Sequence, residues 1–94
     1  MDHETRLKRL SFRAWRRGFR EADLILGPFA DTHAHALSPD QLTALEALLE
    51  QPDPDLYAWI VGTLAPPAEF DGEVLGLVRA FHLEARLARP NLGA

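Results

Sequence analysis

The sequence predicts an all-α fold, a small five-helix bundle, and three observations carry that prediction. Apolar residues recur at three- and four-residue spacing in each long segment. No segment alternates with a period of two, and Val and Ile are too few and too scattered to build a sheet. Cap-and-proline pairs at Ser38-Pro39 and Asp53-Pro54 open segments of helical periodicity. The 94 residues, 47% of them hydrophobic, are expected to form a single domain over 1–94, with one modest core and no room for two lobes around a buried cleft.

Leu7, Leu10, Ala14 and Trp15 share one face, which predicts a first helix over about residues 4–16 that ends at Gly18. A second helix is expected to start near Phe19 or Arg20 and to present Leu24, Ile25 and Phe29, with Gly27-Pro28 bending or interrupting it before an end near Ala34. Ser38, Pro39 and Gln41 form a capping-box start, and Leu42, Leu45, Leu48 and Leu49 form the buried stripe that follows. Glu46 and Glu50 fall on its solvated side. Asp53 reads as the cap of a short fourth helix carrying Leu56, Tyr57, Trp59 and Ile60, with Gly62 as its terminator. Phe70, Val74, Leu77, Val78 and Phe81 predict a last and longest helix over 68–88, stopped by Arg89-Pro90. Short connections favour antiparallel packing of the last three helices.

The net charge of −4 conceals a division along the chain. Residues 1–20 hold seven basic side chains against two acidic ones, a net of +5, whereas the remaining 74 hold three against twelve, a net of −9. A basic face on an acidic domain points to a partner with an acidic surface or phosphates, rather than to a general nucleic-acid coat. Asp2, Glu4 and Glu21 do not suit an arginine-rich transit peptide, so the chain is read as mature from Met1. Without cysteine there is no disulfide framework, thiolate metal site or cysteine nucleophile, which suits a reducing compartment. No apolar run approaches the roughly 20 residues that span a bilayer.

Candidates for chemistry are few. Asp31-Thr32-His33-Ala34-His35 has the histidine spacing of some metal hydrolases, but those sites draw further ligands from a much longer barrel, and only His3 and His82 remain here. The string reads as a solvated loop. Ser11 and Ser38 lie in no nucleophile turn, Asp53 and Asp55 are accounted for by a helix start, and no glycine-rich phosphate loop is present. Trp15 and Trp59 read as core.

The most informative stretch is Arg16-Arg17-Gly18-Phe19-Arg20-Glu21. A core would not tolerate it. Gly18 removes a Cβ where a helix should end, so another backbone is able to approach, with Arg17 and Glu21 as opposite charges beside the gap. The candidate partner-binding set is Arg13, Arg16, Arg17, Gly18, Phe19, Arg20, Glu21 and Asp23. Gly18 reads equally as a simple helix C-cap.

At these residues the chain resembles the FAD assembly factor of succinate dehydrogenase, a small bacterial and mitochondrial family with an older label as the antitoxin of a membrane toxin. The Arg-Gly-x-x-Glu stretch is followed in order by Asp23, Leu26, Phe29, Leu37-Ser38, Leu48-Leu49 and Asp53-Pro54-Asp55-Leu56-Tyr57-Ala58-Trp59, so the likeness covers about residues 6–65. Ala22 departs from it, since the family carries a large apolar residue there. Beyond Pro67 only helical character is shared.

The resemblance implies an assembly chaperone, not an enzyme, with a five-helix fold. It implies binding to the flavoprotein subunit of succinate dehydrogenase or fumarate reductase and promotion of covalent FAD attachment to a histidine of that subunit. The factor then binds no cofactor stably, and the FAD belongs to the partner. Arg17, Gly18 and Glu21 would lock the docked state, while Arg13, Arg16 and Arg20 broaden the basic patch and steer encounter. A cytoplasmic, bacterial monomer is expected, with no nucleic-acid partner and no membrane insertion. The rival reading is an antitoxin-like or nucleic-acid-binding regulator acting through the basic N-terminal helix, which the acidic remainder disfavours.

Overall fold

The structure, a computed structural model, describes residues 2–88. Five α-helices follow one another: α1 (His3–Trp15), α2 (Arg20–His33), α3 (Pro39–Leu49), α4 (Asp53–Val61) and α5 (Glu73–Ala88). Single 3-10 turns at Ala34–Ala36 and Ala68–Phe70 complete the described residues, which include no strand. The stop expected at Arg89-Pro90 lies outside them.

Local chemistry explains most of the boundaries. Asp2 caps α1 by accepting the Thr5 N–H at 2.7 Å, and that backbone bond holds its carboxyl below the ordinary carboxylate range. Ser38 and Gln41 close a reciprocal capping box on α3, with Pro39 in the first turn. Gly62, at φ 90°, ends α4 in the left-handed region and donates its N–H to Ala58 O at 2.9 Å.

Several expectations are corrected. Helix α2 runs unbroken through Pro28. Proline removes the N–H that would bond to the Leu24 carbonyl, and Leu24 itself lies exposed rather than in the core. Pro52, not Asp53, occupies the N-cap of α4, and no side chain caps that helix. The last helix starts at Glu73 instead of residue 68, because the chain first makes a 3-10 turn that stacks Phe70 on Trp59 with centroids 5.4 Å apart. Its buried stripe is Val74, Leu75 and Val78, and Leu77 is 38% exposed. The string Asp31 to His35 is helical, not a loop: α2 continues to His33, whose ring stacks on Phe29 at 5.1 Å.

Helices α2 and α5 are the centre of the packing. Helix α2 contacts α1, α4 and α5, while α3 and α4 each lie on α5 and touch one another little. Phe29, Leu10, Leu26, Leu42, Leu45, Leu56, Leu75 and Val78 are fully buried between them, and among the described residues no polar or charged one is buried as a whole. Each such side chain contributes about 1.5–3 kcal/mol of burial, so the core holds the helices without any buried polar network.

Helix α1 is fixed on α2 by a close approach. A Cβ on Gly27 would lie 2.3 Å from the Trp15 ring, so only glycine lets the indole rest on the α2 backbone. Asp31 then accepts from Trp15 Nε1 at 2.9 Å and from Ser11 Oγ at 2.6 Å, one carboxylate serving two donors of α1. These contacts set where α1 ends, and therefore where the turn into α2 is presented.

Candidate partner-docking site

The turn between α1 and α2 carries the Arg-Gly-x-x-Glu stretch. Arg16, not Gly18, is the C-cap of α1, with its N–H on Arg13 O. Gly18 lies two residues further on at φ 84°, a left-handed conformation that permits the reversal into α2. No atom of the chain other than its immediate neighbours comes within 4 Å of the place a Cβ would take. The face of Gly18 is open to the outside.

Beneath that open face the turn is tied down. Arg17 does not stand beside Glu21 as an exposed opposite charge; its guanidinium turns inward. Nε donates to Asp53 Oδ1 at 2.5 Å, Nη2 to Gln51 O at 2.7 Å, and Nη1 to Leu49 O. The Arg17 backbone N–H donates to Asp23 Oδ1 at 3.1 Å. Phe19, the N-cap of α2, is half-buried with its ring centroid 5.5 Å from that of Tyr57 on α4. Ala22 is wholly buried at the foot of the turn.

Arg16, Arg20 and Glu21 are exposed around Gly18. Arg16 lies over the exposed Phe12 ring at 4.2 Å, a cation–π contact that keeps its charge at the surface. On one side the turn borders a shallow cleft lined by Arg13, Arg16, Glu50 and Pro52. On the other, Glu21 edges an apolar groove formed with Leu24, Tyr57, Phe81 and Ala85. The site is therefore an open glycine turn with positive charge on one flank and Glu21 with apolar surface on the other.

Of the expected set, Arg13, Arg16, Gly18, Arg20 and Glu21 share this surface, while Arg17, Phe19 and Asp23 hold it from within. Sequence reasoning missed Asp53 as the partner of Arg17 and Gly27 as the seat of Trp15. The first signal was present as a carboxylate, but a helix start explained it too readily. Glu46 was also misjudged. Rather than facing solvent alone, it accepts from Arg6 Nη2 at 2.8 Å and from Nε at 3.0 Å. Those hydrogen bonds are the main reason its carboxyl is held below the ordinary range, and the same contact raises Arg6.

Chemistry elsewhere is sparse. Among the described residues no three His, Asp or Glu side chains converge as a metal site requires. No helix among them is long and apolar enough to cross a membrane. The most specialised feature of this small helical domain is an open, internally braced turn. The profile of the family described as the flavinator of succinate dehydrogenase matches residues 8–82, and the chain belongs to that family.

Individual relatives agree. The chain is 44% identical over 72 residues to "Succinate dehydrogenase assembly factor 2, mitochondrial" of Dictyostelium discoideum, covering 77% of this chain and 51% of that protein. It is 42% identical over 64 residues to "FAD assembly factor SdhE" of Acetobacter pasteurianus, covering 68% and 59%. With the assembly factor 2 of Danio rerio it shares 33% identity over 91 residues, covering 90% and 58%. The chain spans between half and three fifths of the length of these relatives.

Proposed function

We propose that this chain is an assembly factor that binds the flavoprotein subunit of succinate dehydrogenase and promotes covalent attachment of FAD to it, without being an enzyme itself. Membership of the flavinator family and the names of the relatives support this reading. The observation that carries it to particular residues is the turn at Gly18, left-handed, empty above and braced below. Such a turn lets a partner backbone approach where any side chain would obstruct it.

The factor acts by orientation. Steered to the client by Arg13, Arg16 and Arg20 and docked at Gly18 and Glu21, it holds mobile parts of the client so that the flavin and its acceptor side chain meet in reacting contact. Arg17, Phe19 and Asp23 serve the same surface from inside.

The FAD belongs to the client. Supporting this is the charge at the helix starts: each of the five helices has a carboxylate in its first turn, among them Glu21, Asp40, Asp53 and Glu73, and that negative charge opposes a pyrophosphate there. A monomer in a reducing, cytoplasmic compartment, with fumarate reductase as a second client, completes the reading. The compartment agrees with a chain that has no cysteine.

The test is in-gel fluorescence of covalent flavin on the client subunit, produced with this chain or with Gly18→Arg. Strong fluorescence with the parent and none with the folded variant is expected. Equal fluorescence with both would remove the turn from the function. Covalent flavin at the same level with and without the parent chain would remove the function itself.

A further inference from the structure

We propose that Arg17 is a positioning residue and that Asp53 is its working partner, so that the Arg-Gly-x-x-Glu and Asp-Pro-Asp stretches form one device. The inference rests on the docking reading above and assigns within it a role to two residues that need not touch the client.

The geometry is that of a fork with each of its three nitrogens engaged. A guanidinium offers five N–H donors and no acceptor. Here Nε is taken by Asp53 Oδ1, Nη2 by the Gln51 carbonyl and Nη1 by the Leu49 carbonyl, and the side chain is only 8% exposed. Little of it remains for a partner.

The acceptors explain the choice of arginine. Helix α3 ends at Leu49, whose carbonyl is one that the helix leaves without an N–H partner, and the Gln51 carbonyl lies in the connection just beyond. A cation there also meets the negative end of the α3 dipole. Lysine carries the same charge but cannot serve three divergent acceptors from one rigid plane.

Arg17 is anchored at both ends. Its side chain is held to the α3–α4 connection and its backbone N–H to Asp23 of α2. The next residue is Gly18, above which there is open space. Phe19 against Tyr57 is the companion tie to α4. The clamp therefore fixes the height and direction at which Gly18 and Glu21 are presented, although Arg17 and Asp53 are 36 positions apart in sequence.

A double-mutant cycle tests this, with Arg17→Ala, Asp53→Ala and the double variant titrated against the isolated flavoprotein subunit of succinate dehydrogenase. Each single variant should weaken binding about tenfold and the double variant no further, because both remove one clamp. In the free protein, amide hydrogen exchange at Gly18, Phe19 and Arg20 should quicken in both singles. Losses that multiply, or Asp53→Ala binding like the parent while Arg17→Ala does not, would overturn the proposal. Should Arg17→Ala fail to fold by circular dichroism, Arg17→Lys replaces it, and parent-like binding by that variant would overturn the proposal equally. Failure of the parent chain itself to bind would sink the docking reading and this inference together, an outcome told from failure of the clamp by that control.

Discussion

Gly18 and Gly27 lie at either side of the first half of α2, and they are glycines for opposite reasons. Gly27 is closed: the Trp15 ring occupies the space of its missing side chain, and its φ is unexceptional. Gly18 is open: nothing of the chain is near, but its φ of 84° is one that side chains rarely adopt. The first glycine completes a packing contact within the molecule. The second completes a turn and leaves a space that only something outside the molecule is able to fill.

The sharpest way to break that comparison is Gly27→Ala. Overpacking against the indole should cost about 2 kcal/mol, since the ring must swing out and release Asp31. In a Trp15→Ala background the sign should reverse, because alanine is the better helix former by about 1 kcal/mol. Gly18→Ala should cost about 1 kcal/mol in either background, its penalty being conformational. Urea midpoints of the variants decide the matter. An equal cost for Gly27→Ala with and without Trp15 would show that the contact is not what selects glycine.

Glu21 and Glu50 extend the test to charge. Both are exposed, but Glu21 closes the Arg-Gly-x-x-Glu stretch and edges the apolar groove, whereas Glu50 lies at the end of α3 in the cleft on the other flank. Glu21→Ala should weaken client binding by about 2 kcal/mol or more, as expected when an interfacial charge loses its desolvated contact, and Glu50→Ala far less. Equal losses in a titration would mean that net charge matters and the position does not. Glu46 cannot serve as the neutral control, because it holds Arg6.

Helices α3 and α4 were legible because local chemistry bounds them: the Ser38 box, the Gly62 cap, the proline pairs. Where sequence reading failed, a distant partner decided. Asp53 before Pro54 looks like a cap until Arg17 is seen to claim it. Carbonyls such as those of Leu49 and Gln51 leave no mark in a sequence at all. The start of α5 moved because Trp59 takes Phe70 into a separate turn, and Gly27 was read as a break because nothing nearby in sequence announces Trp15. The Arg-Gly-x-x-Glu stretch stood out for the converse reason, as charges around a glycine that no core would hold, and the structure shows that turn open at Gly18.

A smaller effect separates the braces of α1 by pH. Glu46 has its carboxyl lowered in the folded state, chiefly by hydrogen bonds from Arg6, so its stabilisation is complete above the ordinary glutamate value of about 4.3 and is lost as pH falls through the folded value. Glu46→Gln should therefore lower the urea midpoint modestly at pH 7, and the difference from the parent should shrink away as pH falls through the folded value. A difference that persists at acid pH would assign the loss to packing of the side chain rather than to its charge.

The smallest expected effect concerns the basic flank of α1. Arg6 is committed to Glu46, but Lys8 is exposed and Arg13 borders the cleft beside the turn, so both project charge towards an approaching partner. Charges of this kind act on encounter over roughly 8 Å at physiological salt and add little to a contact already formed. Replacing Lys8 and Arg13 with glutamine should slow association with the flavoprotein subunit a few-fold and flatten its dependence on salt, while dissociation barely changes. Stopped-flow traces at two ionic strengths read both rates. Faster dissociation with unchanged association would extend the tight interface from the Gly18 turn along α1, and the open face would then be larger than one glycine and its flanking charges.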